Sequence, residues 1–173
     1  MRGLLLRPQS MTVIHSAEFA KEKQSLEGSV EVAALARLAD QRADQAGVVS
    51  WRLVGGVDRY QRPYLALTLK GELNLVCQRC LKPLAWSLKG ESVLTQFVDE
   101  ESLDDAENID EDLEGMLIEP ELDVQGLVED EVLLSLPLAP RHVACGDEDE
   151  AVRAAAKPNP FAVLAGLKTR KAE

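Results

Sequence analysis

Residues 65–88 constrain the chain more than any other stretch, because two runs of alternating residues flank a Cys-x-x-Cys. Leu65, Leu67, Leu69, Leu73, Leu75 and Cys77 take odd positions, with Thr68, Lys70, Glu72 and Asn74 between them. Successive strand side chains point to opposite faces, so this spacing predicts a strand with one buried face. Leu84, Trp86 and Leu88 resume the alternation against Ser87 and Lys89. The simplest geometry is an antiparallel hairpin with Cys77 and Cys80 at its bend. Past Gly90 the apolar set moves to Val93 and Phe97, which predicts a bulge at that glycine.

The other elements are placed around this hairpin. Ser16 is positioned to cap a short helix anchored by Phe19. Residues 26–32 read as a strand, and 33–40, with Leu35, Leu38 and Ala39 at helical spacing, as a helix that Gly47 ends. Val49, Trp51 and Leu53 alternate inward, and Gly55-Gly56 marks a turn into a polar connection. Asp123 caps the clearest helix signal, which runs to 136 with Val124, Leu127, Val128, Val132, Leu133 and Leu134 on one stripe. Glu129, Asp130 and Glu131 fall outside that stripe, and Pro137 stops the helix. Residues 99–112 are nearly all acidic with few large apolar side chains, the pattern of a mobile loop. A short amphipathic helix is expected at 160–168, with Asn159 as cap and Pro160 at its first position. The expectation is one α+β domain over 16–145, an antiparallel sheet on a central hairpin packed by a few helices. A loosely ordered stretch, 1–15, precedes it, and a mobile tail of mixed charge, 146–173, follows.

Charge is distributed unevenly. The net charge is −11, but residues 99–131 hold 16 Asp and Glu and no Lys or Arg. Residues 51–90 carry seven bases against Asp58 and Glu72. Arg52, Arg59, Arg62, Lys70, Arg79 and Lys82 are therefore candidate contacts to a polyanion, interleaved with Trp51, Tyr60, Tyr64 and Trp86 that could stack on unpaired bases. A solvated sheet face with tryptophans in the core fits the same residue types. No apolar run approaches the roughly 20 residues of a membrane-spanning helix, and no secretory leader is evident, which points to the cytoplasm. Neither a nucleophile–base pair nor a phosphate loop is present, so nothing suggests an enzyme.

Three cysteines, two of them two residues apart, suit a reducing compartment and a metal or free-thiol role better than a disulfide framework. Two thiolates at this spacing on a turn can face one tetrahedral ion, and His142-Val143-Ala144-Cys145 repeats the gap. Cys77, Cys80, His142 and Cys145 thus form a candidate zinc set. The competing reading is a metal-free knuckle whose thiols pack as small apolar groups. A redox pair is disfavoured, since Pro83 and the following alternation predict a strand where a reactive thiol needs a helix N-terminus.

Three motifs occur in order along the chain: Cys77-Gln78-Arg79-Cys80; residues 127–137, with Glu129-Asp130-Glu131 at their centre; and Lys157-Pro158-Asn159-Pro160-Phe161 with the apolar residues after it. Together they resemble the YceD family, the large ribosomal RNA subunit accumulation proteins. The resemblance implies a non-enzymatic factor needed for synthesis, processing or stability of 23S ribosomal RNA, whose partner is ribosomal RNA or a pre-ribosomal particle. The second cysteine cluster that some relatives carry is reduced here to His142 and Cys145. The alternative is a protein-binding module whose acidic block holds a basic ribosomal protein before assembly.

Overall fold

The computed structural model describes residues 12–145. Residues 1–11 and the expected helix at 160–168 lie outside the described residues. Seven strands and three α-helices follow in order: β1 (Val13–Ile14), α1 (Ser16–Lys21), β2 (Ser25–Glu31), β3 (Val48–Val57), β4 (Pro63–Val76), β5 (Pro83–Phe97), α2 (Glu100–Ile109), β6 (Glu114–Leu117), β7 (Leu122–Asp123) and α3 (Val124–Leu134). The main sheet runs β2-β3-β4-β5-β6, antiparallel except for the parallel β5–β6 edge, and β1 pairs with β7 in a small separate sheet. The fold is α+β. No helix among the described residues is long and apolar enough to cross a membrane.

The alternation of β4 dictates the core. Leu65, Leu67, Leu69, Leu73 and Leu75 are all buried, beside Val49 and Leu53 of β3 and Leu88 of β5. One face of the sheet is covered by Phe19 and Ala20 of α1, by Leu35 and Leu38, and by Val124, Val128 and Val132 of α3. Gly55 lets α1 lie against β3, since a Cβ there would come within 2.5 Å of the Phe19 carbonyl oxygen. Burial of this apolar face is the main term holding sheet and helices together. The opposite face carries Arg52, Lys70, Glu72, Lys89 and Glu91, all exposed.

Several expectations need correction. Gly55-Gly56 marks no turn: both glycines lie within β3 and pair with Leu65 and Tyr64 of β4. The acidic stretch 99–112 is not a loop: its residues 100–109 form α2. The Asp99 carboxylate accepts from the Ser102 amide at 2.8 Å, Glu100 and Glu101 sit in the first turn where the helix dipole favours acids, and Leu103 rests over Gly115 of β6. One cap and one apolar anchor suffice once β6 supplies the surface.

No bulge occurs at Gly90. β4 and β5 keep one register from Val76↔Pro83 to Tyr64↔Thr95, so Ser92, Leu94 and Gln96 continue the inward face and Val93 is exposed. Polar inward residues disguised that continuity. Ser92 Oγ donates to Glu131 at 2.8 Å and Gln96 Nε2 donates to the Ser16 carbonyl at 3.2 Å. Glu131 is for the same reason not on the outer side of α3 but faces the sheet.

Residues 33–40 do not form an α-helix. They make two short 3-10 turns, Val32–Ala34 and Ala36–Leu38, separated by Leu35 at φ −82 and ψ 88, outside the helical region. The chain then runs beside the far end of β4, where the Ala43 amide donates to the Asn74 carbonyl and the Val76 amide to the Gln41 carbonyl. Gly47, at φ +119 with the Glu72 carbonyl where a Cβ would sit, closes this excursion rather than a helix.

The cap of α1 is His15, whose Nδ1 accepts from the Glu18 amide. Ser16 is instead buried and exchanges hydrogen bonds with the backbone of Glu119.

Candidate metal centre

Cys77 directly follows β4 and Cys80 lies in the turn before β5. Pro83 starts β5 as soon as the chain has reversed, and Leu81, at φ +58, supplies the left-handed step of the reversal. The Cys77 amide donates to the Lys82 carbonyl at 3.0 Å and the Leu81 amide to the Cys77 carbonyl at 2.9 Å. After α3, Pro137 and Pro140 prevent further helix and send the chain back over this turn, where the Gln78 amide donates to the Pro140 carbonyl at 2.8 Å. That bond sets the returning segment so that His142 and Cys145 arrive at the turn.

The side-chain donor atoms of Cys77, Cys80, His142 and Cys145 all lie within 4.8 Å of one another. The Cys77 and Cys145 sulfurs are 3.7 Å apart, and Cys80 Sγ is 3.4 Å from His142 Nδ1. A tetrahedral ion with bonds near 2.3 Å separates two sulfur ligands by about 3.8 Å, so the pocket has the size such an ion requires. His142 Nε2 lies 3.1 Å from the Pro83 carbonyl oxygen. A carbonyl can only accept, so Nε2 carries the proton and Nδ1 keeps its lone pair toward the thiols, the arrangement by which backbone groups orient metal-binding imidazoles. This group could hold a metal. Four protein donors leave no open coordination position, which is the structural rather than the catalytic type of site.

The thiols differ in acidity. Burial opposes ionisation of Cys77, but the converging backbone amides of Cys80, Arg79 and His142, with the Cys80 thiol, outweigh it and bring its pKa down to about 5. Cys145 is pushed up, by burial first and then by the Cys77 and Cys80 sulfurs. An anionic sulfur is the form in which a cysteine binds a metal cation.

The six candidate bases are not brought together. Arg59 and Arg62 lie in or beside the turn between β3 and β4. Arg62 is paired with Asp58 at 2.8 Å, and both guanidinium groups lie over the Tyr60 ring, at 4.7 and 4.9 Å from its centroid. Arg52 and Lys70 stand on the open face, and Arg79 and Lys82 sit in the cysteine turn. Since β4 alone spans about 45 Å, only an extended polyanion could reach all three groups. Trp51 and Trp86 pack against the core, whereas Tyr60 is 62% exposed.

Sequence reasoning missed the carbonyls of Pro83 and Pro140. One orients His142 and the other positions its segment, and main-chain groups have no residue-type signal by which to find them.

Fold and site define a small α+β protein whose central hairpin ends in a Cys3His knuckle closed by the segment that follows α3. Residues 65–168 match the model of the family Large ribosomal RNA subunit accumulation protein YceD, and the chain belongs to that family. It is similar to the Large ribosomal RNA subunit accumulation protein YceD of Haemophilus influenzae, 36% identical over 124 residues, which cover 64% of this chain and 71% of that protein. No solved structure matches the chain.

Proposed function

We propose that this protein supports accumulation of large-subunit ribosomal RNA, in the synthesis, processing or stability of 23S RNA, as a cytoplasmic factor that binds RNA or a pre-ribosomal particle without catalysing a reaction. Family membership gives the biological role. The observation that carries RNA contact is the Arg59–Tyr60–Arg62 cluster: two guanidinium groups over an exposed ring offer planes on which an unpaired base can stack while its phosphates meet positive charge. In-cell crosslinking followed by sequencing of the attached RNA should recover 23S sequences, and Tyr60→Ala should weaken that recovery. Recovery of no RNA above background would sink direct contact.

The ion we propose for the knuckle is zinc, held by Cys77, Cys80, His142 and Cys145. Its contribution there is a crosslink between two segments distant in sequence, with no part in chemistry.

A second reading is favoured by α2, an ordered helix that presents Glu100, Glu101, Asp104, Asp105 and Glu107 to solvent. Such a surface could hold a basic ribosomal protein. A pull-down in which α2 variants lose a basic ribosomal protein while retaining RNA would favour it.

A further inference from the structure

The open face of the sheet can be read row by row from its register. One row runs Glu27–Arg52–Thr68–Glu91, where a single cation lies between two acids. The next runs Ser29–Ser50–Lys70–Lys89, with two cations directly opposite each other on neighbouring strands and no acid. Like charges facing each other across an antiparallel pair oppose sheet formation. No salt bridge reaches either lysine among the described residues. Beside them β2 ends at Glu31 and β3 begins at Val48 while β4 and β5 continue, so the face steps down from four strands to two. The step makes an open cleft of about 530 Å³, lined by both lysines, the hydroxyls of Ser50 and Ser87, and Glu72 at one side. Two ammonium groups and two hydroxyls that make no hydrogen bond or ion pair among the described residues thus line one polar hollow. That donor set matches a phosphate oxygen cluster, and its volume falls in the range of small-ligand sites.

We infer that this cleft binds a backbone phosphate of RNA, with Lys70 and Lys89 sharing the charge and Ser50 and Ser87 donating to its oxygens. The inference rests on the RNA-binding reading above and gives it a defined contact about midway along the hairpin, between the Arg59–Tyr60–Arg62 cluster and the cysteine turn. Lys89 enters as a contact residue, and a phosphate there relieves the repulsion built into the row.

The test is binding of a short single-stranded RNA of mixed sequence by the intact protein across a salt series. For Lys70→Ser/Lys89→Ser we expect about a tenfold loss of affinity and a salt slope shallower by about one. Its thermal midpoint should be unchanged or higher by roughly 1–4 °C, since the facing charges are gone. Lys70→Arg/Lys89→Arg, which keeps the charge, should bind as wild type; an equal loss in that pair would assign the effect to packing and overturn the site. If wild type binds and the serine variant matches it in affinity and slope, the cleft is wrong while RNA binding stands. Absence of RNA binding by wild type overturns both. Titration with inorganic phosphate separates the sources: occupation of the cleft by phosphate alone, with no dependence of RNA affinity on the lysines, would remove RNA as its occupant.

Discussion

At the scale of single residues, the knuckle makes the sharpest prediction. Cys77 and Cys145 close the same cluster from opposite segments, so Cys77→Ser and Cys145→Ser should each lower the thermal midpoint by a similar amount, about 5–10 °C, and each should abolish the one metal ion expected per chain in native mass spectrometry. A chelator should reproduce the loss in wild type and add nothing in either variant. Asp58 gives a pH prediction. Partial burial works against its ionisation, but the Arg62 amide and guanidinium and the Tyr60 amide hold its carboxyl below the usual carboxylate range. A depressed folded pKa stabilises the fold fully above the unfolded value of 3.8 and ceases to do so as pH falls through the folded value. Asp58→Asn should thus cost about 1 kcal/mol at pH 7, modest because the pair is partly solvated, and the gap from wild type should close below pH 3.8 in acid denaturation.

Among elements, the legible ones were those that carry their own period. β4 and the first half of β5 could be read because Leu65 to Leu75 and Leu84 to Leu88 never break alternation, and α3 because Asp123 caps an apolar stripe. The cysteine–histidine cluster was legible from its repeated two-residue gap. What stayed hidden depends on distant partners. Ser92 and Gln96 read as outward until Glu131 and the Ser16 carbonyl are seen across from them. β6 and β7 are four and two residues long, and no local pattern announces a parallel edge pairing. α2 has no buried residue and rests on Leu103 over Gly115. Leu103→Asp should therefore abolish hydrogen-exchange protection across 102–109 while moving the global midpoint by less than about 2 °C, because α2 is a local unit of low stability. Gly115→Val should do the same from the other side, since its side chain would occupy the place of Leu103.

In the molecule as a whole, α2 is purely acidic, whereas the open face of the sheet sets Arg52, Lys70 and Lys89 among Glu27, Glu72 and Glu91. The acids of α2 and the cations of the open face belong to one compact body, so an approaching polyanion meets both fields within a Debye length or two. Exchanging Glu100, Glu101, Asp104, Asp105 and Glu107 for Gln should raise RNA affinity a few-fold at low salt and leave it unchanged near 1 M salt, where the Debye length falls to about 3 Å. A fall in affinity at low salt would mean that α2 contributes to the RNA surface.

Cys77 and Cys145 lie 68 positions apart, with β5, α2, β6, β7 and α3 between them. A chain made from its N-terminus acquires β2 to β5 before residue 98, but His142 and Cys145 only after α3. Assembly during translation therefore has a fixed order: the hairpin bend waits with half a ligand set until the returning segment leaves the ribosome. Metal scarcity should act at that final step, leaving chains that are sheet-protected yet open at one end. Limited proteolysis of newly made protein under zinc starvation should cut within 137–145 and spare β2 to β5.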